Sequence, residues 1–490
     1  MIYKNFIGGK WQESASEKSV DNVNPADTSD ILGTVKFATR DEARSAVAAA
    51  YEARHMWRST PPPVRGKLLF KAARILEDDK ENLAALMTRE EGKTLTEAKG
   101  EIQRAVNIME YMGGEGRRIA GETIYSELPS NFAYTIKQPL GVVACITPWN
   151  FPVAIPVWKI APALVAGNTV VFKPATALPA TSARLVEIFQ EAGIPDGALN
   201  LVIGSGSEAG QEIIDHPAVR GVSFTGSNEV GIKLYQAVAS RGAKALCEMG
   251  GKNPILVMED ADIELAADAA VKGAFGATGQ RCSATSRAIV VNSVADEFVS
   301  RLVEKAKAIR VGNGSDPETN MGPVVDKNQY DNIRRYIEFG REDGAKLICG
   351  GSETSGLSES GFFIPPTIFD NVTMDMRIAR EEIFGPVLGV IRVKDFDEAL
   401  AAANDSEYGL TSSIFTKDNS RIFRFVEEIE TGVTHINSAT VGGEAHIPFG
   451  GIKATGVGSR ELGSTSLDFY TDLKIVYVDY TGQKRNVSFY

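Results

Sequence analysis

The chain is short of the residues that would point to metal, disulfide or membrane chemistry. Its 490 residues include four cysteines and four histidines. Cys145, Cys247, Cys282 and Cys349 are widely spaced and make no CxxC pair. They cannot form a disulfide framework in so long a chain, and reduced thiols are the simpler reading. His55, His216, His435 and His446 show no HxH or HExxH spacing, so no metal is expected and catalysis would proceed without zinc. An uninterrupted apolar run is lacking too. The most apolar stretch, 139–175, is broken by prolines at 148, 152, 156 and 162 and carries Lys159, which excludes a membrane span. Basic charge is in deficit: 52 Lys and Arg face 63 Asp and Glu, a net charge of −11, which argues against a nucleic-acid partner. The opening MIYKNFIGGKW shows neither the basic nor the apolar block of a signal peptide, so the cytoplasm is the default expectation.

What is present is ordinary folded-protein material in quantity. Apolar residues make up 43% and charged residues 23%, and the length suits two or three domains. The 47 glycines fit an α/β protein with many tight turns and close backbone contacts to a ligand. Residues 41–118 read as helices: an Ala-rich run begins after Asp41, another follows Pro61-Pro62-Pro63, and a third spans Thr94 to Arg118. NFAYTIKQPLGVVACI is the clearest extended segment. Apolar strands TVVFK (169–173), NLVI (200–203), GVSF (221–224) and KALCE (244–248) then alternate with helical patterns near 155–166, 179–192, 207–214 and 228–240. That alternation predicts a parallel sheet covered on both faces. A second alternating stretch runs from Pro254 to Asn437, and KIVYVDY near the end suits an edge strand or hairpin. Two α/β lobes with a small β extension are expected.

Two glycine-bearing segments follow strands and precede helices. GSGSEAG (204–210) opens like a dinucleotide fingerprint but is too widely spaced, and Gly206 could equally sit in a tight loop. FTGSNEVG (224–231) is the stronger signal. Gly226 lets the backbone turn, Ser227 can cap the helix, and N–H groups at a helix start suit a pyrophosphate. Lys173 ends a strand at the edge where such sheets bind ligands, and could reach ribose hydroxyls or remain solvated.

Three residues could carry chemistry. Cys282 lies in GQRCSATSR, where Gly279 permits close backbone approach and Arg281 beside the thiol would favour the thiolate. The other three cysteines sit in apolar runs and read as packing residues. Glu248, in CEMGGKNP, ends an apolar strand; a carboxylate in a partly apolar site has a raised pKa and can act as a general base. Asn150, in TPWNFP, is held between prolines and aromatics, and its amide could donate to an oxyanion or simply build a turn.

Together with FKPA (172–175), EEIFGP (381–386), NDSEYGL (404–410) and PFGGIKATG (448–456), the segments PWNFP (148–152), FTGSNEVG, EMGGKNP (248–254) and GQRC (279–282) resemble the aldehyde dehydrogenase superfamily over essentially the full chain, in the family's order. The resemblance implies a Rossmann-like cofactor domain (1–118 and 141–250), an α/β catalytic domain (251–440), and a β oligomerisation arm (119–140 and 465–490). Residues 441–464 would return to the cofactor domain and substrate tunnel. It implies Cys282 as nucleophile, Glu248 as the base for the hydrolytic water, and Asn150 with the Cys282 N–H as oxyanion hole. Lys159 and Glu461 would relay the proton. Thr147, Trp149, Lys173, Thr176, Gly206, Gly226, Ser227, Gly231, Glu382 and Phe384 would contact NAD or NADP. Many NAD-preferring relatives carry glutamate where this chain has Thr176. Losing that carboxylate removes repulsion against a 2′-phosphate, so NADP acceptance is expected. The arm implies a homodimer or homotetramer.

Arg104, on a helix that lines the substrate tunnel in this family, and Arg281 suggest an anionic tail on the aldehyde. Phe449 would line the same tunnel, shaped further by Gly443, Glu444 and His446. The chain resembles the branch of succinate semialdehyde and 2,5-dioxopentanoate dehydrogenases. Gly276 stands where the succinate semialdehyde enzymes tend to carry arginine, which tilts the expectation to 2,5-dioxopentanoate; succinate semialdehyde and 3-sulfolactaldehyde remain alternatives. CoA-acylating relatives usually lack the glutamate matching Glu248. A non-catalytic structural protein on the same fold would often lose the nucleophile or the base, and both are intact.

Overall fold

A computed structural model describes residues 1–351 and 361–482. Its helical N-terminal part is punctuated by local chemistry. Thr39, rather than Asp41, caps the helix Arg40–Ser59 through a capping box with Glu42. Pro62 opens the helix Pro62–Asp78, where a missing N–H costs nothing. Lys80–Glu91 ends at Gly92, whose φ of +98° suits glycine. Thr94 and Glu97 form a second capping box at the start of Leu95–Glu115. Strands at Ile2–Tyr3, Asn5–Ile7, Lys10–Gln12, Ser19–Asn24 and Asp27–Lys36 precede these helices. They were not legible in the sequence, three of them having only two or three residues and the longer two, Ser19–Asn24 and Asp27–Lys36, being polar and partly exposed.

Eight strands form the first sheet. Its centre is five parallel strands in the spatial order Lys244–Glu248, Val219–Thr225, Val142–Ile146, Thr169–Lys173, Leu199–Leu201, with antiparallel strands at the edges. The helices Ala154–Ala166, Pro179–Ala192 and Asn228–Ser240 match the expected spans closely, and a wide π-type turn, Gly206–Gly210, precedes Gln211–Asp215. Side chains alternate between faces along Val142–Ile146. Val143 and Cys145 enter one apolar cluster; Val142, Ala144 and Ile146 enter another. Both faces are covered, so the strand reads as a continuous apolar run. Strand order reverses beside Val142–Ile146, whose parallel neighbours are Thr169–Lys173 on one side and Val219–Thr225 on the other. A crevice at the carboxyl ends of the strands follows from that reversal.

The second sheet has seven strands, parallel except at the edge strand Lys346–Cys349. Its middle is Val387–Val393, Thr285–Val291 and Asn253–Val257. The extended segment 131–146 divides at Gly141 (φ +120°) between two sheets. Asn131–Pro139 leaves to pair with Thr471–Asp479 and Thr123–Tyr125 in a small antiparallel sheet. Thr471–Asp479 is its edge strand, as KIVYVDY suggested, and exposes Leu473, Ile475 and Tyr477. Part of the expected arm, 483–490, lies outside the described residues. Among the described residues, no helix is long and apolar enough to cross a membrane.

Candidate active site

The crevice at the strand-order reversal is a cavity of about 250 Å³. Trp149 and Asn150 line it from the loop after Val142–Ile146, Gly226 and Ser227 from the loop after Val219–Thr225, and Cys282, Glu382 and Phe384 from the second sheet's side. Trp149 and Phe384 meet edge to face, their ring centroids 5.4 Å apart. Phe384 holds a left-handed backbone (φ +58°), costly for a bulky residue and characteristic of a functional loop.

The loop that carries Cys282 is tightly fixed. A Cβ on Gly279 (φ +68°) would lie 2.2 Å from the carbonyl oxygen of Gly385, so only glycine lets this loop reach the Phe384 loop. Ala277 and Thr278 also have positive φ. Asn253 Nδ2 donates to the carbonyls of Cys282 (2.7 Å) and Ala284 (2.8 Å). The Asn150 amide donates to the Gln280 carbonyl at 2.9 Å, and its buried Oδ1 finds no partner among the described residues. Lys93 Nζ donates to the Asn150 carbonyl (2.9 Å) and pairs with Glu101 (2.5 Å), which accepts from the Val153 and Ala154 N–H groups. Sequence reasoning missed this pair; nothing in GKTLTEAKGE marks it, because its partners lie on a distant loop.

Burial pushes the Cys282 thiol up to about 12, helped by the carboxylates of Glu382 and Glu248. Arg104 opposes the rise. The expectation that Arg281 favours the thiolate is corrected: its guanidinium turns to Glu97, 3.6 Å away, and sequence adjacency does not aim a side chain. Cys145 and Cys247 are buried packing residues as expected, and Cys349 is half-buried.

Glu248 ends the strand Lys244–Glu248 and is buried. Its carboxylate accepts the Gly451 N–H (3.1 Å), and a Cβ on Gly450 would lie 2.3 Å from Oε1. Burial raises its pKa well above the ordinary value; Glu461 adds to the rise, and the Gly451 N–H, Lys159 and Arg460 oppose it. Lys159 pairs with Glu461, and Ser223 joins both, accepting from Lys159 Nζ at 3.1 Å and donating to Glu461 Oε1 at 3.2 Å. Ser223 was missed: it is an inward residue of an apolar strand and carries no motif. Phe449 exchanges backbone hydrogen bonds with Glu461 and packs on Trp158, ring centroids 5.7 Å apart. It is buried and lines neither described cavity.

A second cavity, about 400 Å³, opens where Lys173, Gly206, Ser207, Gly210 and Lys233 converge. Burial lowers Lys173 to about 8, and its Nζ donates to the adjacent Pro174 carbonyl at 3.2 Å. The cradle suits a dinucleotide. Gly210 leaves room for Lys173, a Cβ there falling 3.3 Å from Lys173 Cε. Thr147 and Thr225, at the ends of adjacent strands, have buried hydroxyl oxygens without partners among the described residues. Glu382 accepts the Gly251 N–H at 2.9 Å, and burial raises it to about 7. Ser227 begins its helix but makes no side-chain capping bond, which corrects that expectation; it is exposed and faces the first cavity instead. Gly231 lies under Met249, with a Cβ position 2.4 Å from the sulfur, so it serves close packing. Thr176 is half-buried on the loop after Lys173, outside the lining of both cavities. Thr225, Gln329 and Asn332 line the first cavity without having been singled out.

Arg104, from the helix Leu95–Glu115, lies over the Trp158 ring (5.3 Å). Its buried Nε and Nη2 have no partner among the described residues, nor has Nε of Arg281. Burial lowers Arg104 from its ordinary value, the Cys282 and Glu101 charges oppose that, and Arg281 adds a smaller lowering; Arg104 in turn lowers the Cys282 thiol.

Two cavities at a sheet's switch point, one of them lined by a rigidly held cysteine and a half-buried carboxylate, Glu382, fit a dinucleotide-dependent oxidoreductase. The aldehyde dehydrogenase family model matches residues 11–476, and the chain belongs to that family. It is 48% identical to alpha-ketoglutaric semialdehyde dehydrogenase of Bacillus subtilis (strain 168), covering 97% of this chain and 98% of the relative. It is 45% identical to 2,5-dioxopentanoate dehydrogenase of Saccharolobus solfataricus, covering 96% and 98%. Betaine aldehyde dehydrogenase of Staphylococcus aureus in complex with NAD+ superposes with a TM-score of 0.95 at 36% identity, covering 99% of this chain and 96% of that one. A 3,6-anhydro-L-galactose dehydrogenase with NADP superposes equally well, at 36% identity, covering 98% and 100%. The protein is thus an NAD(P)-dependent aldehyde dehydrogenase, oxidising an aldehyde to its carboxylate.

Proposed function

We propose that the substrate is a short aldehyde with a carboxylate tail, 2,5-dioxopentanoate first among them. The observation that carries this reading is the buried Arg104 guanidinium, which acts on the Cys282 thiol and has two nitrogens, Nε and Nη2, unmatched among the described residues, with the Arg281 guanidinium near it. An unmatched buried donor costs about 1–3 kcal/mol, and more if charged, which an anionic ligand would recover. The names of the two relatives that are 45–48% identical support the same choice.

In this reading the Cys282 thiol first loses its proton to solvent, then adds to the aldehyde carbon as the thiolate, a minor form near neutrality because of burial, and the oxyanion is held by the Asn150 amide and the Cys282 N–H. Both donors are fixed before reaction, Asn150 by Gln280 and Lys93. When bound, the nicotinamide accepts the hydride that leaves the adduct. The thioester left on Cys282 is then cleaved by water. Glu248, whose raised pKa suits proton transfer near neutrality, takes the proton from that water. Lys159, Ser223 and Glu461 form a buried polar chain behind it. The two cavities, one at Lys173 and one at Phe384, hold the dinucleotide between them, and Glu382 and Lys173 bind ribose hydroxyls. NADP is accepted because no carboxylate stands at Thr176. The first sheet's body serves the cofactor, the second carries the nucleophile, and the small sheet's exposed apolar edge joins subunits.

A panel of 2,5-dioxopentanoate, succinate semialdehyde, 3-sulfolactaldehyde and neutral aldehydes, each with NAD and NADP, tests these statements. Neutral aldehydes outperforming every acidic one would refute the tail reading. A preference for NAD of about a hundredfold or more, roughly 2.7 kcal/mol, would refute NADP acceptance.

A further inference from the structure

Each guanidinium of the proposed anion seat stands against a glycine. A Cβ on Gly443 would lie 2.6 Å from Arg104 Nη2 and 3.4 Å from its Cζ. Real side chains do not approach so closely, so any other residue at 443 displaces the guanidinium. The backbone adds to this: Gly442 and Gly443 adopt φ of +137° and +154°, where residues with a Cβ are strained. At the second guanidinium, a Cβ on Gly276 would lie 3.3 Å from Arg281 Nη2 and 3.5 Å from its Cζ. That contact is tight rather than impossible, and Gly276 has an ordinary φ of −59°.

Among the described residues Arg104 makes no ion pair or hydrogen bond through Nε or Nη2; the charge of Glu101 acts on it only from beyond contact, and the Trp158 face alone does not fix its rotation. The open space at Gly443 decides where Nη2 points. We infer that Gly443, with Gly276 as a weaker counterpart, determines specificity: the missing side chain is the seat of the Arg104 guanidinium, and hence of the enzyme's choice of carboxylate-tailed aldehydes. The two glycines act through the arginines and need not touch the aldehyde. A methyl group at 443 would turn Nη2 away from the tail while leaving Cys282, Glu248 and Asn150 in place.

This inference rests on the proposed tail recognition, and the test separates the two. The ratio of kcat/KM for 2,5-dioxopentanoate to that for pentanal is measured in the holoenzyme for wild type, Arg104→Met, Gly443→Ala, Gly276→Ala and Arg104→Met/Gly443→Ala. Losing a charge-assisted contact corresponds to about ten- to a hundredfold. Arg104→Met is expected to lower the ratio by that amount, and Gly443→Ala by about tenfold, chiefly through KM. Gly276→Ala, free of backbone strain, should give a smaller loss of the same kind. The double variant should lose no more than Arg104→Met alone. An unchanged ratio in Arg104→Met would sink the tail reading itself. A lowered ratio in Arg104→Met with unchanged ratios in both glycine variants would overturn only the inference. Equal losses on both aldehydes in Gly443→Ala, or full additivity in the double variant, would also overturn it, since a merely structural glycine would behave so.

Discussion

Removing either partner of the Lys159–Glu461 pair should harm the protein more than removing both. The two side chains are 0% and 2% exposed, and among the described residues Ser223 is the one further side chain bonded to them. Glu461→Gln leaves an ammonium group in the core with a hydroxyl for company; Lys159→Met leaves a carboxylate in the same position. Breaking a buried pair from one side costs about 3–5 kcal/mol, because the remaining charge is uncompensated, whereas removing both charges is often close to neutral. At about 2.1 cal/mol/K per residue, a chain of this length unfolding as one unit loses about 3–5 °C of Tm per single substitution, and roughly twice that if one lobe melts alone. Thermal and urea unfolding of wild type, both single variants and Lys159→Met/Glu461→Gln form a double-mutant cycle. The double variant should be more stable than either single one. If its loss equals the sum of the two, the pair is not coupled and the argument fails. The same variants give a second readout. Lys159 lowers and Glu461 raises the Glu248 pKa. The acidic limb of the hydrolysis pH profile should therefore move up in Lys159→Met and down in Glu461→Gln.

Three further outcomes are expected. In the cofactor-free protein, iodoacetamide alkylation of Cys282 should rise about tenfold per pH unit from 7 to 9 without a plateau, because the thiol titrates near 12 and only its thiolate reacts. Glu382→Gln should speed alkylation by removing a repelling charge, Arg104→Met should slow it, and a plateau below pH 8 would contradict the burial argument. Glu248→Gln should release one equivalent of reduced cofactor per active site and then stall, with kcat down about 10²–10⁴-fold; rapid-quench kinetics with mass detection of acylated Cys282 would check it. Gly279→Ala should abolish turnover while cofactor still quenches tryptophan fluorescence. A Cβ 2.2 Å from the Gly385 carbonyl must push the Cys282 loop off its seat, and an active variant would show that seat to be unnecessary.

Local chemistry in the sequence determined the elements. The strands 169–173 and 244–248 and the helices 179–192 and 228–240 are read correctly from apolar runs bounded by turn residues, because a parallel strand buried on both faces has no other composition. The motif residues Cys282, Glu248 and Asn150 were marked by short-range features: glycines at close approaches, prolines in fixed turns, a carboxylate closing an apolar strand. Where side chains point is a different matter. Arg281, next to the thiol in sequence, reaches Glu97, whereas Arg104 acts on the thiol from a remote helix. Lys93 and Ser223 owe their places to contacts with Asn150 and with the Lys159–Glu461 pair, across separations no pattern in a single sequence records. Gly443 is one glycine among many until the Arg104 guanidinium is seen against it. Period and capping are properties of neighbours along the chain, so sequence carries them; electrostatic partnership and free space belong to neighbours in three dimensions, which only the packed structure decides.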